Sequence, residues 1–126
     1  MEHPTYDRLV TRTSDAVAAG TDDDVDGTGV PVKGFVDHHH HVLLGTITAT
    51  AVTTVKLQES DDDTTYTDIA GKSVSVADSG DDEVYSLRAG VEELKASTTH
   101  TRVRITRATA NAVIDGAICV QRRMIA

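Results

Sequence analysis

The sequence has few of the residues that cross-link a fold, fill it with aromatic rings or anchor it in a membrane. None of its 126 residues is Trp, one is Phe and three are Tyr, so the core must be aliphatic. A single cysteine, Cys119, excludes a disulfide within the chain, and its apolar neighbours predict a buried structural thiol. No apolar run approaches the roughly 20 residues that span a bilayer, and the N-terminus lacks the pattern of a signal peptide. We therefore expect one soluble domain, made in a cytosol, with no membrane partner.

Positive charge is also scarce. Lys and Arg number 12 against 20 Asp and Glu, which gives a formal charge of -8. A field of this sign repels phosphates, so nucleic acid is excluded as a general partner. The preference for Asp and Arg over Glu and Lys is typical of a halophilic proteome, where a Debye length of roughly 3 Å at 1 M salt screens surface carboxylates. A GC-rich genome produces the same bias, and both explanations stay open.

From Val32 onward, apolar and polar residues alternate in short runs that Gly, Asp and Ser interrupt. Such period-two spacing predicts half-buried strands rather than helices. We expect seven or eight short strands in an all-β domain over residues 31–126, an antiparallel β-sandwich or a small jelly-roll-like barrel. The pairs predicted to share a buried face are Val42 with Leu44, Val55 with Leu57, Val74 with Val76, Tyr85 with Leu87, and Val103 with Ile105.

Residues 1–30 are predicted to form an N-terminal arm or loop, either extended or with a first strand, that is ordered only against something else. The run "GTDDDVDGTGVP" is dense in Gly and Asp, and "TSDAVAAG" has at most one helical turn. The segment has too little apolar content for a core of its own, so it gains most by ordering on a neighbouring subunit. The residues predicted to make that interface are Tyr6, Arg8, Leu9, Val10 and Arg12.

Two acidic stretches raise the question of a cation site. Residues 60–65, "SDDDTT", join two strand-like runs, and we interpret them as a hairpin turn rather than a calcium site. Asp22, Asp24 and Asp26 match the first half of an EF-hand loop, but Lys33 stands where the bidentate Glu belongs. An EF-hand is therefore excluded, and an adventitious cation at these three aspartates remains the alternative.

The run "DHHHH" at residues 37–41 is native sequence rather than a tag, because it is internal. In a strand, His38 and His40 point to one face, where alternate imidazoles offer ligands for zinc or nickel. The interpretation that we prefer is a polar strand edge or an interface contact.

Arg102 and Arg104 share one face of a predicted strand in "RVRITR". In an acidic chain this pairing fits either the carboxylates of a partner or the chain's own aspartates, and the sequence leaves both open.

Signatures of catalysis are missing from the sequence. It has no P-loop, no G-x-G-x-x-G and no spacing that suggests a Ser-His-Asp triad, and aromatic platforms for sugars are nearly absent. We expect no catalytic residues, no cofactor and no enzymatic activity.

The segment "GTITATAVTTVKLQESDDDTTYTDIAG" resembles small β-sandwich virion proteins of tailed phages and head-tailed archaeal viruses. In those proteins a strand ends in a Leu-Gln-(Glu)-Ser-Asp-Asp turn, followed by an aromatic residue, Thr-Asp and a hydrophobic residue. The resemblance continues in "TRVRITRATANAVIDGAICVQ", although His100 and Thr101 replace the family's usual Arg-Tyr pair, and it covers about residues 34–121. The matching residues of the first segment are Leu57, Gln58, Ser60, Asp61, Asp62, Tyr66, Asp68 and Ile69.

The resemblance implies a capsid decoration, or cement, protein on the virion surface. Its partners would be the major capsid protein and copies of itself, as a trimer or another symmetric homo-oligomer. The first alternative is an adaptor at the neck or tail of the virion. The second is a carbohydrate- or cation-binding β-module.

Overall fold

The computed structural model describes residues 6–19, 24–108 and 112–124, except for the side chains of Tyr6 and Met124. In these residues nine antiparallel strands form two sheets, which confirms the predicted all-β sandwich class. The number exceeds the seven or eight expected because strands also form within residues 6–31. Asp22 lies outside the described residues, as does the side chain of Tyr6. The strands are β1 (Tyr6–Ser14), β2 (Val25–Asp26), β3 (Val30–Pro31), β4 (Asp37–Ile47), β5 (Val52–Ser60), β6 (Thr67–Val76), β7 (Val84–Gly90), β8 (His100–Ala108) and β9 (Ala112–Met124).

A four-stranded sheet has the order β1-β9-β4-β7, so β1 and β7 are its edges. In its central ladder His39 faces Val120 and His41 faces Ile118. Strand β9 continues through Asp115 and Gly116 with a register shift, because Leu43 faces Gly116 while Leu44 faces Ile114.

A five-stranded sheet has the order β2-β8-β5-β6, and β3 also pairs with β8. The strand β8 is central, and Val55 of β5 faces Ile105 of β8. The register of β5 and β6 shifts between Lys56 and Gln58, where the longer strand β6 turns through Gly71 at φ 76°. Glycine adopts that left-handed conformation without steric cost.

The core is aliphatic, as the composition requires. Leu44, Leu57, Ile105 and Ile114 are at most 1% exposed and pack in one cluster between the sheets. The predicted alternation is confirmed on β8, where Val103 and Ile105 are buried and the intervening arginines are half-buried. A 3-10 turn at Val91–Glu93 follows β7.

The N-terminal segment contains the first strand that was the alternative to an arm, and this strand pairs with its own chain rather than with a neighbouring subunit. Strand β1 runs along β9 from Tyr6↔Met124 to Ser14↔Ala117, and Val17 exchanges two backbone hydrogen bonds with Ile114, of 2.7 and 2.9 Å. Strands β2 and β3 pair with β8. The low apolar content of the segment did not predict these strands. An edge strand is held largely by backbone hydrogen bonds, which depend little on the side chains.

The acidic run at residues 60–65 is the hairpin turn that the sequence predicts. Gln58 faces Asp68 across the hairpin of β5 and β6. The Asp62 Oδ1 accepts hydrogen bonds from the backbone N–H groups of Thr64 (2.9 Å) and Thr65 (2.8 Å) and from the Ser60 hydroxyl (2.9 Å). These bonds lower the pKa of Asp62, that from Thr65 most of all. The Asp62 carboxylate therefore stabilises the turn.

Replacing Asp62 with Ala is expected to lower the thermal midpoint by several degrees, because the turn loses its central acceptor. Asp61→Ala is the matched control: Asp61 is an exposed neighbour of the same charge. Thermal unfolding followed by circular dichroism measures both variants. Equal midpoints for the two would contradict this role of Asp62.

Candidate interaction surface

The most distinctive surface of the protein is the outward-facing side of the four-stranded sheet, here called the outer face. Successive strand residues point to opposite sides of a sheet. Because Val42 and Leu44 of β4 are buried in the core, His39, His41 and Leu43 point outward. Applied to the other three strands through their register, the same alternation gives the members of the outer face, which are Arg8, Val10, Arg12, Asp37, His39, His41, Leu43, Val84, Ser86, Arg88, Gly116, Ile118, Val120 and Arg122.

The middle of the outer face is apolar and exposed. Val10 is 60% exposed, Val84 57% and Leu43 39%, and Ile118 and Val120 between them are half-buried. Shallow hollows flank Leu43 on two sides. Apolar side chains gathered on a single exposed sheet face are typical of surfaces that contact another molecule.

One end of the outer face carries three arginines, Arg8, Arg88 and Arg122. Arg8 faces Arg122 across β1 and β9, and Arg88 lies opposite His39 on β7. Arg88 and Arg122 both pair with the carboxylate of Asp37, which is 2% exposed. Arg88 also lies 3.8 Å from Glu92 and 3.6 Å from Glu93, so carboxylates of the same chain match Arg88 and Arg122.

The other end of the outer face is acidic. Asp115, Asp82 and Glu83 surround the hollow beside Leu43, and Asp15 borders the second hollow. The carboxylate of Asp15 lies 3.4 Å from the Arg12 guanidinium, and both side chains are more than three-quarters exposed. The outer face therefore runs from an end of paired charges, through an apolar middle, to an end lined by Asp and Glu.

The outer side of the five-stranded sheet is different, because its charges are matched within the chain. The Arg104 guanidinium contacts Asp24 at 2.6 Å and Asp26 at 3.0 Å, and these carboxylates, Asp24 first, raise the pKa of Arg104. Arg102 lies 3.5 Å from Asp26 and 4.0 Å above the ring of Tyr66. Of the two interpretations of Arg102 and Arg104, the structure supports pairing with the chain's own aspartates.

The candidate cation sites do not assemble in the described part of the chain. Asp24 and Asp26 face arginines, and no group of three or more His, Cys, Asp or Glu side chains among the described residues is placed to hold a metal ion. Among those residues, too, no helix has the length and apolar content to cross a membrane.

The histidine run alternates as predicted, but the interpretation of a polar strand edge is wrong. Strand β4 lies between β9 and β7, and His38 and His40 point into the sandwich, 0% and 1% exposed. These buried imidazoles belong to a small layer of polar side chains that crosses the core. His40 Nε2 lies 3.1 Å from the Thr101 hydroxyl and 3.6 Å from the Cys119 sulfur.

The same layer holds His38 through a glutamine. The Gln121 side-chain amide donates to the Pro31 carbonyl at 2.5 Å and to His38 Nδ1 at 3.1 Å. Burial lowers the pKa of His38 to about 4 and that of His40 to about 3, and it raises the pKa of the Cys119 thiol to about 12. The prediction of a buried thiol is confirmed, and both imidazoles are neutral at pH 7.

The predicted interface residues of β1 divide between two surfaces. Arg8, Val10 and Arg12 lie on the outer face. Leu9 pairs with Gln121 and therefore points to the inner side of the sheet, but its side chain is 48% exposed. The sequence analysis did not identify Leu43, Val84, Ile118 and Val120 as surface residues. Leu43 and Val84 are apolar at positions of β4 and β7 whose alternation predicts polar, outward-facing side chains, and this could have identified them.

No family model and no curated protein matches the chain, and the similarities are to solved structures at low identity. The SPBc2 prophage-derived protein YomS shows a TM-score of 0.57 at 10% identity, over 97% of this chain and 98% of that one. The VP2 subviral particle of infectious bursal disease virus shows 0.51 at 10%, over 95% of this chain but 32% of that one. The endospore appendage pilus of Bacillus shows 0.51 at 14%, over 98% and 89%. At these identities the matches show a shared fold.

Proposed function

We propose that this chain is a non-enzymatic structural protein of a virion, and specifically a decoration protein bound to the major capsid shell. The observation that carries the proposal is the outer face. A chain of charge -8 leaves apolar side chains and arginines together on one sheet, which suits repeated contacts between subunits rather than a reaction.

The fold supports the same proposal. YomS is described as prophage-derived, and the VP2 chains that share the fold form subviral particles. The described residues also bring together no metal-binding cluster, and each buried histidine of β4 contacts a core residue through one ring nitrogen. Assembly therefore accounts for the exposed features better than catalysis does.

Contact with the shell is proposed to use the edge of β1 together with Leu9. Strand β1 is an edge of the four-stranded sheet, and a sheet edge offers unpaired backbone groups to an added strand. Leu9 supplies an apolar side chain, 48% exposed, beside that edge. Each such contact is weak, and many copies on one shell gain through avidity.

Copy number on purified particles tests the proposed role. Quantitative mass spectrometry should find hundreds of copies per virion, because a decoration protein repeats with the shell lattice. A dozen copies or fewer would place the protein at the neck or tail instead, and absence from the particle would overturn the virion role.

Leu9→Asp is expected to reduce occupancy on particles at least about tenfold, because it puts a carboxylate where an apolar contact is needed. Binding of the purified variant to undecorated particles, measured by co-sedimentation, gives the occupancy. Val91→Asp is the matched control, since Val91 is 41% exposed and lies away from β1. Wild-type occupancy of Leu9→Asp would exclude this edge as the attachment site.

A further inference from the structure

We propose that a polar hollow at the end of β5 binds a primary ammonium group, and that the carboxylate of Glu59 holds it. This hollow, here called the Glu59 hollow, has a volume of about 260 Å³. It lies between the hairpin of β5 and β6 and the segment that precedes β8, away from the outer face and from the edge of β1. Its wall is polar and includes, besides Glu59, the side chains of Asp61, Lys95, Thr65, Thr67 and Ser97.

The alternation of β5 carries the Glu59 carboxylate to the inner side of its sheet. Val55 and Leu57 are buried in the core, and residues two apart on a strand point to the same side. Glu59 is accordingly only 5% exposed, and its neighbours on the adjacent strands are Thr67 and Thr101. A carboxylate in such a place costs free energy unless donors or a cation meet its oxygens.

The chain meets one of the two oxygens of Glu59 and leaves the other open. The Oε2 atom accepts a hydrogen bond of 3.3 Å from the backbone N–H of Lys95. The Oε1 atom lies 3.9 Å from the Lys95 Nζ, which is beyond hydrogen-bonding distance, and the Lys95 side chain is 68% exposed. A loose pair with so exposed a partner is weak. Within the described part of the chain, Oε1 therefore has no hydrogen-bond donor.

The open oxygen selects an ammonium group rather than a guanidinium group. A guanidinium binds a carboxylate best through both oxygens, and the Oε2 of Glu59 already accepts from the chain. An ammonium is a compact charge with three donors, one for Oε1 and the others for hydroxyl or carboxylate oxygens of the wall. Glu59, Asp61 and Lys95 together carry one net negative charge, which a single positive charge neutralises.

The walls of the Glu59 hollow are held by backbone hydrogen bonds. The Thr98 N–H donates to the Lys95 carbonyl at 3.0 Å, and the Thr99 N–H donates to the Ser60 carbonyl at 2.8 Å. A ligand therefore enters a shaped site and orders little of the chain. The volume of about 260 Å³ lies just below the range of pockets for drug-sized molecules. The ligand that fits is a small primary amine or the end of a lysine side chain from another protein.

Titration of the full chain with n-butylammonium, followed by two-dimensional amide NMR at low ionic strength, tests the proposal. The amides of Glu59, Lys95 and Thr98 should shift saturably, with a dissociation constant on the order of 1 mM, because one small ligand forms one ion pair. The alcohol n-butanol has the same alkyl chain without the charge, and it should bind at least about tenfold more weakly.

Two variants should change the affinity in opposite directions. Glu59→Gln keeps the shape and an acceptor for the Lys95 N–H but removes the charge, so it should weaken binding at least about tenfold. Lys95→Met removes the chain's own competing cation and should strengthen binding by about threefold or more. Glu83→Gln is the matched control, since it removes one carboxylate from a different hollow, and it should leave the affinity unchanged.

A carboxylate that only anchors the segment before β8 predicts different results. Shifts that do not saturate by about 50 mM, equal affinities for the amine and the alcohol, or weaker binding by Lys95→Met would each overturn the proposal. Circular dichroism shows whether Glu59→Gln remains folded, and Lys95→Met, which changes an exposed side chain, tests the site in either case. Nα-acetyl-lysine methylamide separates the two sources of the ligand. Tighter binding than n-butylammonium supports a lysine of another protein, and equal binding supports a free amine.

Discussion

Acidification from pH 7.5 to pH 5 is expected to remove about 4 kcal/mol of folding free energy. His38 and His40 are at most 1% exposed, and burial lowers their pKa values from 6.5 to about 4 and about 3. In the unfolded chain both regain the ordinary pKa and bind protons as soon as the pH falls below 6.5. Each histidine then lowers the free energy of unfolding by about 1.4 kcal/mol for every unit that the pH falls.

The pH window follows from these values. Above pH 6.5 both states hold neutral imidazoles, so the full stability is present. Between pH 6.5 and about 4 only the unfolded state is protonated, and the stability falls with a slope of up to about 2.7 kcal/mol per pH unit for the two side chains. Carboxylates such as Asp68, whose pKa is lowered by the amide of Gln58 and by Lys56, add their loss at lower pH.

Urea unfolding at half-unit pH steps measures the slope. His40→Gln should reduce it by about half, because Gln does not titrate. His39→Gln is the control, since its half-buried ring on the outer face has a pKa that partial burial lowers less strongly. A wild-type free energy of unfolding that stays constant between pH 7.5 and 5 would contradict the account.

The β-sandwich was predictable because the period-two alternation within each strand shows which of its residues are buried. Val103 and Ile105 identify the inner side of β8 without reference to any other strand, and the turn at residues 60–65 identifies the hairpin of β5 and β6. The polar layer was not predictable in the same way. His38 and His40 have polar side chains, which predict exposure, and their partners Thr101 and Gln121 lie 61 and 83 residues away.

The outer face also depends on distant pairings. Leu43, Val84 and Ile118 become one surface only through the register of three strands. Arg104 shows the same limit, because its partner Asp24 lies 80 residues earlier. The sequence could state that Arg102 and Arg104 share a side, but whether they face a partner or their own chain was decided by the pairing of β2 with β8.

Deletion of residues 1–20 is expected to lower the free energy of unfolding by on the order of 3 kcal/mol or more, a large share of the stability of a small domain. The deletion removes β1 and exposes the edge of β9, the strand that carries buried Cys119 and Gln121. It also removes Thr13, which is 3% exposed and whose carbonyl accepts the 2.8 Å hydrogen bond from Thr28 N–H.

Chemical denaturation of the truncated chain measures this loss, with a chain that begins at Tyr6 as the control that keeps β1. The result decides how attachment to particles can be studied. A destabilised truncation would lose occupancy whether or not β1 touches the shell, so the point variant Leu9→Asp, which keeps the strand, separates folding from attachment. An unchanged denaturation midpoint after deletion would show that β1 contributes little to the sandwich, and residues 1–20 would then be a detachable arm.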